Sequence, residues 1–174
     1  MKITAAGRRV IERCISTFGY SLKINGSPPR GFTNFFGYVK SRGFQPRTVF
    51  DVGVGNGTPW LYGAFPDAHF VLIEPQVEFE TSLKRICEQQ DAEYHLVGVG
   101  ETERSIPLYR LPDSPTGSSF LPPSKQAEKI WGEFNPSDTQ MPIVKLDTYE
   151  DHEGPFLLKI DTEGFELDVL RGAT

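Results

Sequence analysis

Sulfur and histidine are scarce in this sequence of 174 residues, which has two cysteines, two methionines and three histidines. Cys14 and Cys87 stand far apart, each inside a helical pattern. A disulfide framework is thereby excluded, and both read as reduced, core-facing thiols. Long apolar runs are missing too. No stretch of about 18 apolar residues is available to span a bilayer, and the N-terminus lacks the uninterrupted apolar segment of a secretory signal. Reduced cysteines without such a signal give the expectation of a cytoplasmic protein. Disorder is excluded in turn: with 38% hydrophobic and 24% charged residues, the chain is apolar enough to bury a core.

Acids are nearly absent from residues 1–47, where nine Lys or Arg face Glu12 alone. The remainder holds nine bases against twenty-two acids, so the net charge of −5 divides into a leader of +8 and a body of −13. An acidic body argues against nucleic acid as a partner, because that binding rests on phosphate neutralisation. The leader has three readings. It can dock as an accessory helical layer, meet an anionic substrate or membrane surface through residues 2–18, or serve as a transit peptide, which Glu12 and the scarcity of serine disfavour.

Ile3, Ala6, Val10, Cys14, Ile15 and Phe18 recur at helical steps and predict an amphipathic helix over 2–18, broken off by Gly26-Ser-Pro-Pro29. A second helix is expected over 33–42, burying Phe35, Phe36 and Val39 and ending at Gly43. The character then changes, dividing the chain into a basic helical leader over 1–47 and a domain over 48–174. Short β-branched runs at 48–53, 69–74, 94–99 and 156–161 read as core strands, with 105–110 as an extra one. Helical patterns at 58–65, 76–90 and from 164 onward alternate with them. That order predicts an α/β domain on a parallel sheet. The Pro/Ser-rich stretch 111–124 is long enough to be a lid or binding loop.

The sharpest motif is Asp51-Val-Gly53-Val-Gly55-Asn56-Gly57, at the end of the first strand. Glycines there permit positive φ and let a ligand lie against bare backbone. Glu74 ends the second strand, where its two oxygens can accept from the paired hydroxyls of a ribose. Nicotinamide cofactors use the same corner, but their third small residue would fall on Thr58 or Trp60, and Asp51 would oppose a pyrophosphate. S-adenosylmethionine carries a sulfonium and an ammonium and no phosphate. The charge of the turn therefore favours it as the cofactor.

Residues 48–60, 70–75, 144–148 and 157–173 together resemble the FkbM-type methyltransferases. The most telling piece is Lys159-Ile-Asp161-Thr-Glu163-Gly164-Phe-Glu166. The resemblance covers roughly residues 35–174 and implies a Rossmann-like class I methyltransferase fold. It also implies O-methylation of a hydroxyl on a small molecule, sugar or polyketide-like metabolite. Carried over by position, Asp51, Gly53, Gly55 and Glu74 would bind cofactor, together with Asn56 and Gly57 of the same turn, and Asp161 would face the methyl group. Such folds have seven strands, and the expectation is a chain truncated after the fourth core strand.

A general base is the remaining need. His69 and His95 are read at strand starts and His152 in the loop entering the fourth strand, all away from the site. That leaves Asp161 as the catalytic carboxylate, unless it caps the following helix. Glu163 and Glu166 suit a helix N-terminus. An Asp161–Glu163 metal site lacks a histidine, and no metal is expected. Trp60 and Phe120 can stack on adenine or sit in the core. The alternative function is a non-catalytic nucleoside-binding or interaction module.

Overall fold

The computed structural model describes residues 31–111 and 114–174. The helix expected over 2–18 lies outside them. The chain divides into two units, residues 1–44 and 45–174. In the first, helix α1 (Phe32–Ser41) turns off at Gly43, whose φ is +85°. Phe36 is buried, Val39 is half-buried, and Phe35, expected inside, is 42% exposed.

The second unit begins with β1 (Thr48–Val52), α2 (Pro59–Ala64) and β2 (His69–Ile73). A 3₁₀ turn leads into α3 (Glu80–Gln89), and β3 (Ala92–His95) follows. Pro59 opens α2, where a missing N–H costs nothing. These strands and β7 (Phe156–Ile160) form one sheet in the order β3-β2-β1-β7, every pair parallel. The domain is thus mixed α/β with a Rossmann-like parallel sheet, as expected. α5 (Glu166–Arg171) follows β7.

The run expected as one strand over 94–99 is two. After His95 the chain leaves the first sheet, and β4 (Gly98–Val99) pairs with β6 (Asn135–Val144) of a second sheet. β5 (Arg104–Arg110) pairs antiparallel with β6, completing the order β4-β6-β5. The sequence pattern missed β6, most of whose residues are exposed or half-buried and which includes Pro136 and Pro142. It also missed α4 (Lys125–Trp131), capped by Ser124 Oγ accepting from the Ala127 amide at 3.1 Å.

Alternation gives the first sheet two faces. Phe70, on one face, meets the ring of Tyr62 from α2 edge-on at 5.1 Å. Phe50, Val52, Val71 and Ile73, on the other, share a buried core with Val99, Leu108 and Ile143 of the second sheet and with Phe165 and Val169 beyond β7. No described helix is long and apolar enough to cross a membrane.

Candidate cofactor site

A cavity of about 410 Å³ opens at the carboxyl ends of β1 and β2, walled by the glycine turn, the tip of β2, the segment after β7 and residues 116–120. Its size suits a small-molecule site. Its place, where β1 has β2 on one side and β7 on the other, is where open parallel sheets bind ligands.

Two glycines of the turn have different reasons to be glycine. Gly53 has φ +74°, and a Cβ there would stand 1.9 Å from the backbone carbonyl oxygen of Asp161. Its absence lets the tips of β1 and β7 approach. Gly55 has φ +54°, and a Cβ would meet only Thr116, at 3.5 Å, so this position borders the cavity. Asn56 and Gly57 also line it. Asn56 Oδ1 accepts weakly from Ser82 Oγ at 3.4 Å.

Glu74 is 4% exposed. Its Oε2 accepts from the Gly55 amide at 2.9 Å and its Oε1 from the Gln76 amide at 3.0 Å. Burial raises its pKa, against the opposing pull of those amides and of Lys159. Gln76, which the sequence reading passed over, donates from Nε2 to the Pro115 carbonyl at 3.0 Å, and this fixes which end of the amide is oxygen. That oxygen, Oε1, is buried without a hydrogen-bond partner in a residue that lines the cavity. The wall thus offers a ligand one unsatisfied acceptor and a carboxylate with lone pairs to spare.

Asp51 is 0% exposed and is not among the cavity-lining residues. Its Oδ2 accepts from the Tyr62 hydroxyl at 2.8 Å. Lys159 Nζ stands 3.0 Å from its Oδ1, an ion pair whose angle does not make a hydrogen bond. Register explains the pairing, since Asp51 and Lys159 are direct partners on β1 and β7. Lys159 also donates to the Gly53 carbonyl at 2.6 Å, pinning the turn from below. The signal for it was available: a lysine in an apolar strand opposite an aspartate in another. The negative charge bordering the cavity therefore comes from Glu74, Asp161 and Glu163, while Asp51 is neutralised beneath it.

Asp161 lines the cavity with its side chain 67% exposed, 4.0 Å from Lys159 Nζ, and its amide donates to the Val52 carbonyl at 3.0 Å. It does not cap α5, whose N-cap is Phe165. Glu166, the first residue of α5, instead folds back on the loop before it: its Oε1 accepts from the amides of Thr162 at 3.1 Å and Gly164 at 3.0 Å. Burial opposes its ionisation, yet these hydrogen bonds outweigh it and hold its pKa low. Glu163 sits at φ +53° and borders the cavity, its pKa raised first by burial and then by Asp161 and Glu166. A second cavity of about 500 Å³ shares Thr116, Ser119 and Glu163 with the first, its far wall formed by Leu121, Trp131 and Phe134. Trp60 and Phe120 border the first cavity, and Phe120 is buried against Phe165 with ring centroids 5.5 Å apart.

None of the three histidines lines the cavity. His95 closes β3 where a strand start was expected, because the strand begins at Ala92, and its ring turns to Glu93 and Tyr149.

An α/β domain with a glycine-rich ligand corner at its sheet tips is the class these features define. The methyltransferase FkbM domain matches residues 51–174, and the chain belongs to that family. A solved structure, the methyltransferase FkbM from Methylobacillus flagellatus KT, shares the fold at a TM-score of 0.50 and 19% identity. The match covers 83% of this chain and 33% of that one. This chain thus spans about a third of its structural neighbour's length. No curated protein matches.

Proposed function

We propose that the chain is the cofactor-binding part of an S-adenosylmethionine-dependent O-methyltransferase acting on a hydroxyl of a small molecule, sugar or polyketide-like metabolite. The carrying observation is Glu74, a buried carboxylate aimed by the Gly55 and Gln76 amides at the wall of a nucleoside-sized cavity. In this reading Gly53, Gly55, Asn56 and Gly57 shape the turn against the cofactor, and Glu74 receives the ribose hydroxyls. The unpartnered Gln76 Oε1 accepts a further donor hydrogen, such as that of an exocyclic amine. Asp51 acts one step back, through Lys159 and the Gly53 carbonyl.

Bound there, S-adenosylmethionine supplies an electrophilic methyl group on a positively charged sulfur. The protein's part is position and proton transfer, and orientation alone is worth about 7–11 kcal/mol. Asp161 lines the cofactor cavity from the tip of β7 and takes the acceptor's hydroxyl proton onto its carboxylate, a contribution of about 10²–10⁴-fold. Glu163 sits between the two cavities and orients the acceptor. The apolar wall of the second cavity favours an acceptor with an apolar body. Cys87, free and half-buried, fits a reducing, cytoplasmic setting.

Titration calorimetry with S-adenosylmethionine tests the reading. Glu74→Ala should weaken binding by about 2–4 kcal/mol, from two charge-assisted bonds with some water compensation. An unchanged dissociation constant, or tighter binding of a nicotinamide nucleotide, would overturn it.

A further inference from the structure

All three histidines of the chain gather at one carboxylate, and none of them lines the cofactor cavity. His152 Nε2 lies 3.3 Å from Glu93 Oε1, and His95 Nε2 lies 3.0 Å from the same oxygen. The rings of His69 and His152 stack with centroids 5.4 Å apart. One ring nitrogen each from His69 and His152 and a Glu93 oxygen lie within 4.8 Å of one another, all on half-buried residues.

Three separate segments bring these groups together. His69 opens β2, and Glu93 on β3 is the partner of Val71, so both side chains lie on the same face of the sheet. His152 comes from the segment before β7, which is well anchored. Thr48 Oγ1 donates to the Glu153 carbonyl at 2.8 Å, the Arg47 amide donates to the Pro155 carbonyl at 2.9 Å, and Arg47 pairs with the Glu153 carboxylate. Phe50 meets the His152 ring edge-on at 5.8 Å. The donors therefore sit on a built frame and not on a free loop.

We propose that His69, Glu93 and His152 form a binding site for a zinc-like divalent transition-metal ion, separate from the cofactor cavity. Two imidazoles and one carboxylate suit zinc and its neighbours, whereas calcium and magnesium take oxygen donors. The surrounding contacts are those that metal-binding histidines use. Asp91 Oδ1 lies 3.0 Å from His69 Nδ1, and with the ring proton on Nδ1 the Nε2 lone pair is left for a metal. His95 holds the Glu93 carboxylate in place in the same way. Bonds of about 2.0–2.2 Å require the donors to close to about 3.3 Å in a tetrahedral site, a shift that rotation of half-exposed side chains provides. Water completes the coordination. The ion would clip the segment before β7 to the β3 edge of the sheet.

The test uses the 174-residue chain without an affinity tag, stripped with chelator. Zinc titration by calorimetry should give one equivalent per chain and a raised melting temperature. Cobalt(II) should give visible absorption bands that zinc abolishes. His69→Asn and Glu93→Gln, which preserve shape, should each weaken zinc by at least about 10–100-fold, the loss seen even for outer partners of metal sites. His152→Ala should do the same, with its melting temperature recorded because it also removes ring packing. Absence of saturable one-to-one binding in the parent overturns the proposal. So does zinc affinity unchanged in the His69 and Glu93 variants.

Discussion

The cavity and the histidine cluster, two polar regions of one parallel sheet, treat their polar groups in opposite ways. Around the cavity the groups are left incomplete: Gln76 Oε1 has no partner, the Glu74 carboxyl is buried with a raised pKa, and Glu163 is held at positive φ. In the histidine cluster the groups pair with one another, with Asp91 on His69, Glu93 on His95 and His152, and Arg47 on Glu153 nearby. Unused hydrogen-bond capacity and backbone strain concentrate where a ligand can relieve them. Mutual pairing concentrates where the fold must be closed.

The largest effect expected from breaking this contrast is at Asp161. With S-adenosylmethionine and an accepted hydroxyl substrate, Asp161→Asn should lower turnover about 10²–10⁴-fold. Its melting temperature should stay near that of the parent, because the side chain is largely exposed and caps no helix. Turnover close to normal in the folded variant would move the chemistry to another residue, with Glu163 the next to substitute.

Next in size is the contrast between the two glycines. Gly53→Ala drives a Cβ into the Asp161 carbonyl and should cost about 2–5 kcal/mol of stability. Gly55→Val meets only the Thr116 side chain, in ordinary contact, and should keep a cooperative melt, at a strain cost of about 1–3 kcal/mol, while losing S-adenosylmethionine binding. Denaturant melts paired with calorimetry separate the two. If Gly55→Val fails to fold, that glycine serves the backbone and not the ligand.

The smallest effect concerns pH. Glu74 holds its proton more tightly folded than unfolded, so stability without ligand should fall as pH rises from the ordinary glutamate range through its raised value. Glu74→Gln should flatten that part of the profile. It should also lower the whole curve by about 1–3 kcal/mol, because its new amide nitrogen must face the N–H of Gly55 or Gln76. A parent profile that rises with pH across this interval would show that other groups outweigh Glu74.

Much of this was legible in the residues themselves. Apolar β-branched runs at 48–53, 69–74 and 156–161 place three of the four sheet strands, because buried parallel strands carry little besides such residues. Glycines after the first strand and an acid at the tip of the second mark the candidate ligand corner, because backbone freedom and charge are local properties. Other features needed the fold. Nothing local divides 94–99 between two sheets, and β6, with two prolines and few buried residues, has no alternating pattern to find. Asp51 reads as a ligand contact until register sets Lys159 beside it beneath the turn. Gln76 gains its meaning from the Pro115 carbonyl thirty-nine residues away. The three histidines look unrelated in sequence and meet only because β2, β3 and the segment before β7 are neighbours. Propensity and backbone freedom belong to single residues and short windows, so the sequence carries them openly. Burial, pairing and charge compensation depend on which distant residue arrives, and only the tertiary structure decided that.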